Sequence, residues 1–355
     1  MSIIIFLVIL SILILVHEFG HFIAAKKNNV MVEEFGIGYP PRIFSFKKNE
    51  KVYSINLLHF GGFVKVYGEE YHEEEKKKIK YSNRAFINKK PWQKTLIILA
   101  GVVGNIMLAW VLFTYLSTQG VYINTNKVKI ENIQKNSPAA YAGLSKGDII
   151  KEVRIKSKAY KINSPEKLIS LTKKLAGEKI SIMVERKNVN ITLSITARKN
   201  PPKNEGPLGV VISSSELKKY SLFEAPYMGF VQTISYLKAI FLGFMDLFKD
   251  LFMFKKPSIE IAGPIGIAKY TNQAFQYGLN SLIEFTALLS LNLAVLNVIP
   301  FPALDGGRFA FVLYEWVSKR RINQNIEKTV NGLGMIILLT LLAVITISDI
   351  LKIYR

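Results

Sequence analysis

The chain has 355 residues, half of them hydrophobic, and Lys and Arg outnumber Asp and Glu by 47 − 26 = 21. The absence of cysteine excludes a disulfide framework and a thiolate metal site, so any metal must be held by His, Asp or Glu. A soluble chain this basic would suggest nucleic acid as partner. We expect no nucleic acid here, because the lysines are scattered between apolar segments, where loops facing anionic membrane lipid account for such charge.

The first apolar segment, residues 3–25, contains an unusual group of ionisable side chains. Its length of about 23 residues is enough to cross a hydrocarbon core of ~30 Å. Ionisable side chains are energetically costly inside such a core. His17 and His21 are four residues apart, so their imidazoles share one helix face and can share one metal ion. Glu18 lies about 100° further round the helix, free to act as a base.

Two other interpretations of this segment are open. The pattern H-E-x-x-H occurs by chance in soluble helices, and a short apolar N-terminus can be a signal peptide. The membrane-length apolar run favours a metal site over chance. No basic residue precedes that run, and cleavage near Ala24 would discard both histidines, so a signal peptide is disfavoured.

Charge between the apolar segments predicts the topology. Four segments predict membrane-spanning helices: 3–25, Leu96–Tyr115, Leu282–Ile299 and Leu333–Ile347. Residues 26–93 carry 14 basic against 8 acidic residues, and residues 306–332 carry five basic residues. The positive-inside rule places both stretches in the cytoplasm, and the roughly 165 residues between the second and third spans outside it.

Residues 225–254 are rich in Phe, Leu, Ile and Met but also carry Lys238, Asp246, Lys249 and Asp250. This composition predicts an amphipathic helix lying at the outer membrane interface, with a fifth span as the alternative.

The outer segment has strand-like alternation at Val128–Ile133, Ile180–Glu185 and Asn190–Ile195. The string from Asn136 to Ile150, with its small helix, glycine turn and Gly-Asp before a strand, resembles the circularly permuted PDZ domain of bacterial envelope proteases. Such domains take an extended peptide by strand addition. A generic β-rich domain is the alternative.

A third metal donor is expected at the end of the third span, where the chain runs Asn297-Val-Ile-Pro-Phe-Pro-Ala-Leu-Asp305-Gly-Gly. Two prolines end the helix, and catalytic zinc usually has three protein ligands. With four spans Asp305 falls on the same side of the membrane as the histidines. A fifth span within 225–254 would put Asp305 on the opposite side, so a shared site argues against that span.

Together, H-E-F-G-H and N-x-x-P-x-P-x-L-D-G-G resemble the site-2 protease family of intramembrane zinc metalloproteases, in the branch of bacterial regulator-of-sigma-E proteases. Three further stretches carry the resemblance: Tyr53–Val66 is similar to the membrane-associated β-hairpin, Ala100–Asn105 to the G-P-x-x-N element and Gly263–Ile267 to the G-P-x-G-I stretch. The expected fold is an α-helical membrane protein with four transmembrane helices, that hairpin and one inserted extracytoplasmic PDZ domain.

The resemblance implies roles for seven residues. It implies Zn²⁺ bound by His17, His21 and Asp305, with Glu18 as the catalytic base. It also makes the span asparagines Asn297, Asn292 and Asn105 candidates for binding substrate, although interhelical hydrogen bonding is the common use of Asn in membranes.

The sequence departs from the family pattern at His59 and Val102, which stand where proline is usual, and in having one PDZ-like domain. We expect His59 and His72 to be loop histidines and not ligands, because neither has a paired donor at ligand spacing.

The implied enzyme is a multi-pass protein of the bacterial cytoplasmic (inner) membrane, with its active site toward the cytoplasm. Its substrates would be transmembrane proteins such as anti-sigma factors, or remnant signal peptides; a catalytically silent membrane PDZ adapter is the alternative. The expected divisions are 1–26 (first span), 27–93 (cytoplasmic loop with hairpin), 94–116 (second span), 117–222 (PDZ), 223–279 (interfacial region), 280–305 (third span), 306–331 (cytoplasmic loop) and 332–355 (fourth span).

Overall fold

A computed structural model describes residues 2–69, 81–156, 158–202, 205–253, 255 and 262–353. The described α-helices and β-strands in chain order are α1 Ser2–Lys27, β1 Val32–Lys48, β2 Lys51–Val66, α2 Pro91–Gln119, β3 Val121–Ile133, α3 Pro138–Tyr141, β4 Ile149–Ile155, β5 Lys158–Lys161, α4 Pro165–Lys174, β6 Lys179–Arg186, β7 Val189–Thr196, β8 Val210–Lys218, α5 Ala225–Phe252, α6 Pro264–Gln276, α7 Leu279–Val298, α8 Asp305–Ser318 and α9 Gln324–Ile353. They form two compact units, one of Met1–Gln119 with Tyr220–Arg355 and one of Gly120–Lys219.

Five helices among the described residues are long and apolar enough to cross a membrane. They are Ile3–Lys27, Pro91–Gln119, Ala225–Asp250, Leu279–Val298 and Asn325–Lys352. Few of the residues in these helices are buried, and many of their Leu, Ile and Val side chains are exposed, as a lipid environment permits. The first unit therefore has the character of a multi-pass membrane protein.

Helix α2 is the centre of this unit and contacts α1, α5, α7 and α8. Small residues allow it to lie close to α1: a Cβ on Gly20 would stand 2.2 Å from the Ala100 carbonyl oxygen, and one on Gly104 would stand 2.9 Å from that of Val16. Close backbone approach through small residues is the usual basis of helix pairing in membranes.

Helix α5 is a single 28-residue helix that packs on α2 and α7. The Trp110 indole N–H donates to the Pro226 carbonyl at 2.9 Å, and the rings of Phe113 and Tyr236 stack with centroids 5.1 Å apart. The sequence predicted an interfacial helix here. By length and composition the helix also qualifies as a span, so the number of spans is not decided by composition alone.

Helix α6 contacts both α7 and α9. The Gly266 N–H near the start of α6 donates to the Asp349 carboxylate near the end of α9, at 2.8 Å. At the other end of α9, Asn331 accepts from the Ala303 N–H at 3.2 Å.

Strands β1 and β2 form a two-stranded sheet whose strands each fold back on themselves. Residues 44–48 pair with 51–55 as a hairpin, while residues 34–37 pair with 62–65 on one side and with 52–55 on the other. The segment 62–66 is therefore an outer edge of the sheet. This sheet contacts α1, mainly through β2.

The second unit, Gly120–Lys219, has a six-stranded sheet in the order β7-β6-β4-β3-β8, with β5 paired to β4. Alternate apolar side chains of its strands form one core with Leu168 of α4. Ser137 caps α3, since its hydroxyl accepts from the Ala140 N–H, and Gly143 and Gly147 adopt positive φ in the turns that follow. A β-rich domain is thus present, and its identity as a PDZ domain stays a prediction.

Candidate metal centre and active site

Three ligand-type side chains from distant parts of the sequence meet at one point of the helical unit. His17 Nε2 lies 2.9 Å from Asp305 Oδ2, His21 Nε2 lies 3.3 Å from the same oxygen, and the two Nε2 atoms are 3.1 Å apart. All three donor atoms fall within 4.8 Å of one another. The structure therefore brings together the three residues that the sequence predicted as ligands.

The pair on α1 follows from helical spacing, and α2 fixes its orientation. The Nδ1–H of His21 donates to the Ile97 carbonyl at 2.8 Å, so Nε2 is left to face Asp305. Gly101 lies against both rings: a Cβ there would stand 2.5 Å from His21 Nε2 and 2.7 Å from His17 Nε2. The imidazoles thus occupy a space that exists because position 101 has no side chain.

Asp305 is delivered by a tight turn between α7 and α8. Helix α7 ends at Val298, and Pro300 and Pro302 cannot continue it. Ala303 has a φ of 73°, a left-handed conformation that is costly for any residue other than glycine. The turn ends with Asp305 at the first position of α8, where the helix dipole favours a carboxylate.

The glycines after Asp305 permit this turn. A Cβ on Gly306 would stand 2.1 Å from the Ile299 carbonyl oxygen, and one on Gly307 would stand 2.4 Å from that of Phe301. The sequence interpretation treated residues 306–331 as a connecting loop. The structure instead has a 14-residue helix from Asp305, because the two glycines occupy its first turn, where close packing against the preceding turn outweighs their low helix propensity.

Glu18 lies beside the three donors and faces a cleft of about 740 Å³. The cleft is also lined by His21 and Asp305, by the edge segment 63–66, and by Arg308 of α8. The backbone N–H of Val64 hydrogen-bonds to the Glu18 carboxylate. The Glu18 carboxylate, two of the three ligand-type side chains and a strand edge therefore line one cavity.

The three span asparagines are not equivalent. Asn105 is fully buried, with its Nδ2 3.4 Å from His17 Nδ1. Asn292 donates to the Leu288 carbonyl of its own helix at 2.9 Å. Asn297 is partly exposed one residue before the end of α7, and no hydrogen bond of its side chain to another described residue is present.

Of the other two histidines, His72 lies outside the described residues, and of His59 only the backbone, within β2, is described. The cluster of His17, His21 and Asp305 is the one group of three or more potential ligands found among the described residues.

Two roles at the site were not predicted from the sequence. The Ile97 carbonyl accepts the hydrogen bond from His21, and Gly101 leaves space for both imidazoles. No residue type marks a backbone carbonyl as a partner. The glycines at 101 and 104 did carry a signal, because small residues spaced along a membrane helix indicate close helix approach.

The donor set fits a zinc ion. Two imidazole nitrogens and one carboxylate oxygen are a recurrent ligand set of catalytic zinc, which leaves a further position for water. Nδ1 of His21, the ring nitrogen that does not face Asp305, donates to the Ile97 carbonyl, and a metal-binding imidazole requires such an acceptor. The cleft on the Glu18 side gives the site access to a reactant.

Comparison with known proteins agrees with this geometry. A family model described as peptidase family M50 matches residues 5–341. A Clostridium perfringens protein provisionally named a zinc metalloprotease is 34% identical over 352 residues, covering 99% of both chains. A similarly named protein of Staphylococcus aureus strain N315 is 29% identical over 98% of both chains, and the regulator of sigma-W protease RasP of Bacillus subtilis is 28% identical over 99% of both. The motif-based resemblance to the site-2 proteases is thereby confirmed, and the chain belongs to peptidase family M50.

Proposed function

We propose that this protein is an intramembrane zinc metalloprotease that hydrolyses peptide bonds within transmembrane segments. His17, His21 and Asp305 would hold the zinc ion, and Glu18 would be the general base. The observation that carries the proposal is the convergence of three donor atoms within 4.8 Å, with the Glu18 carboxylate in the cleft that His21 and Asp305 also line.

Zinc, when bound, supplies Lewis acidity toward a carbonyl oxygen and toward water. Glu18 accepts a proton from the attacking water and then delivers it to the leaving amine, which is general acid–base catalysis by one group. The Val64 N–H holds the Glu18 carboxylate on the cleft side, next to the position where a substrate carbonyl would lie.

The substrate must be presented as an extended chain, because a helical segment hides its carbonyls in its own hydrogen bonds. Residues 63–66 of the edge segment line the cleft, and the segment pairs with residues 32–37 on its other side. An unwound substrate can add to this edge as a further strand, with backbone hydrogen bonds supplying affinity. This arrangement would hold a substrate backbone next to Glu18.

For the topology we propose four spans, α1, α2, α7 and α9, with α5 at the outer interface. Helix α2 ends, α6 begins and α9 ends on one side in this arrangement, while Asp305 and the histidines lie toward the other. The basic connecting segments support a location of that second side in the cytoplasm of a bacterial cell, and of the β-rich unit outside the cytoplasm.

The substrate class follows from the site and the relatives together. The B. subtilis relative is named a regulator of sigma-W protease. We accordingly propose membrane proteins such as anti-sigma factors, or remnant signal peptides, as substrates. The β-rich unit, if it is a PDZ domain, would recruit substrates or exclude bulky ones. Deleting residues 120–215 distinguishes these roles, since recruitment predicts lost cleavage and exclusion predicts cleavage of untrimmed substrates.

The deciding experiment uses the purified full chain in lipid vesicles with a model transmembrane substrate. Glu18→Gln should lower cleavage by at least about 100-fold, since it removes the base, while bound zinc stays at the wild-type level. Glu33→Gln is the matched control, because Glu33 lines the same cleft but is not among the three clustered donors. Equal cleavage by wild type and Glu18→Gln would refute the proposed role of Glu18, whereas no cleavage by either protein would favour a silent adapter.

A further inference from the structure

The proposed metal role of His17 requires a hydrogen-bond acceptor for its second ring nitrogen, Nδ1. A neutral imidazole that binds metal through Nε2 carries its proton on Nδ1, and that N–H needs an acceptor to fix the ring. For His21 the acceptor is the Ile97 carbonyl. For His17, the hydrogen-bond partner of Nδ1 among the described residues is the Asn105 side chain, at 3.4 Å.

The Asn105 amide is otherwise poorly satisfied. The residue is 0% exposed, and its Oδ1 is buried without a hydrogen-bond partner among the described residues. The two orientations of an amide differ only in exchanging oxygen and nitrogen, so in either orientation one end faces His17 Nδ1. A buried amide with an unpartnered end is unfavourable, and an apolar side chain of the same size would avoid this cost. Unlike an apolar side chain, the amide makes a polar contact with His17.

The position of Asn105 is fixed from the other side. Its backbone carbonyl accepts a hydrogen bond from the Ser290 hydroxyl of α7 at 2.8 Å. One turn away in α2, Gly101 lies against the same imidazole. Asn105 is thus held by backbone contacts, and its full burial keeps a substrate away from the amide.

We infer that Asn105 is a positioning residue for the metal centre: its Oδ1 accepts the Nδ1–H of His17 and so directs Nε2 of that ring at the metal. This inference rests on the proposed zinc site and replaces the substrate-binding role that the sequence suggested for Asn105. Helix α2 then supplies the outer acceptor for both histidines, a backbone carbonyl for His21 and an amide for His17.

The test measures zinc affinity of the full-length protein by competition with a chromophoric chelator. Asn105→Leu should lower the affinity by about 10- to 100-fold, the usual cost of losing such an outer partner, whereas Asn105→Asp keeps an acceptor and should stay within about threefold of wild type. Asn292→Leu is the matched control, because the Asn292 amide is satisfied within its own helix. This control should bind zinc as the wild type does.

A second measurement does not depend on any Asn105 variant. The chain has four histidines, so ¹⁵N-histidine NMR of the zinc-loaded protein, assigned with a His17→Ala variant, reports which nitrogen of each ring carries the proton. A proton on His17 Nδ1 supports the inference, and a proton on Nε2 overturns it.

The remaining outcomes are also decisive. Wild-type zinc affinity in Asn105→Leu, with or without a raised KM, would overturn the positioning role. Equal losses in the folded Leu and Asp variants would overturn the acceptor role in favour of packing. Unchanged zinc binding in His17→Ala would instead refute the proposed metal site itself, so the two failures are distinguishable.

Discussion

Replacing Gly101 with alanine should abolish the metal centre while leaving the helix intact. The added Cβ would stand 2.5 Å from His21 Nε2 and 2.7 Å from His17 Nε2. Ordinary van der Waals contact begins at 3.4 Å, so the nearer ring must move by about 0.9 Å, which is 3.4 − 2.5. Metal–ligand distances tolerate only about 0.2 Å.

The required displacement is thus about four times what a zinc site tolerates, so at least one ligand is lost. We expect zinc affinity to fall by at least about 100-fold and cleavage of a model substrate to fall with it. Alanine favours an α-helix over glycine by about 1 kcal/mol, so α2 itself is not weakened. Bound zinc, measured by mass spectrometry together with chelator competition, is the primary readout.

Gly104→Ala separates a damaged metal site from damaged helix packing. This Cβ would stand 2.9 Å from the Val16 carbonyl oxygen, at the same helix interface but away from the imidazoles. We expect a loss of thermal stability with zinc affinity within about threefold of wild type. If Gly101→Ala binds zinc as tightly as the wild type, the imidazoles do not face the metal in the way described here.

Three further predictions concern the edge strand, the β-rich unit and a buried ion pair. Val64→Pro removes the edge N–H that hydrogen-bonds to Glu18 and should lower cleavage with zinc content unchanged. Phe44→Pro, on the opposite sheet edge, should spare cleavage, and the reverse result would contradict a role of the edge 62–66 in cleavage. Burial alone would raise the pKa of Asp148, but hydrogen bonds from its arginine partner and a backbone N–H outweigh this and lower it. The ionised Asp148 therefore stabilises the folded state above the unfolded pKa of about 4, and this stabilisation is lost as pH falls through the lower folded pKa. In Asp148→Asn, the stability of the β-rich unit against acid unfolding should no longer show this pH dependence. Glu315→Gln leaves the ammonium of the buried Lys94 without its carboxylate partner and should lower the free energy of unfolding by about 3 kcal/mol. Adding Lys94→Met should recover most of that loss. Additive effects of the two substitutions on the free energy of unfolding would contradict this.

The cluster of His17, His21 and Asp305 could be predicted from the sequence because each part of it has a local signature. His17 and His21 share a helix face by spacing alone, and Asp305 follows prolines that end a span. Family resemblance joined the two parts. The structure then added the distances, which no local pattern contains.

What the sequence could not supply depends on how helices pack against each other. The roles of the Ile97 carbonyl and Gly101 follow from the register of α2 against α1, which depends on contacts along both helices. The helix that begins at Asp305 was missed because Gly306 and Gly307 argue against helix when propensity is considered alone. The place of α5 was also ambiguous, since its four charged residues suit an interface while its length suits a span.

The 288 residues that separate His17 from Asp305 have a consequence for biosynthesis. A nascent chain that has inserted α1 and α2 already carries Glu18 and both imidazoles, but two imidazoles alone make a weak zinc site. Under the proposed mechanism such a chain cannot cleave the unfolded membrane segments around it, its own included. Under this mechanism hydrolysis would begin only when the turn after α7 has been translated and packed, so the order of synthesis would itself delay activation of the protease.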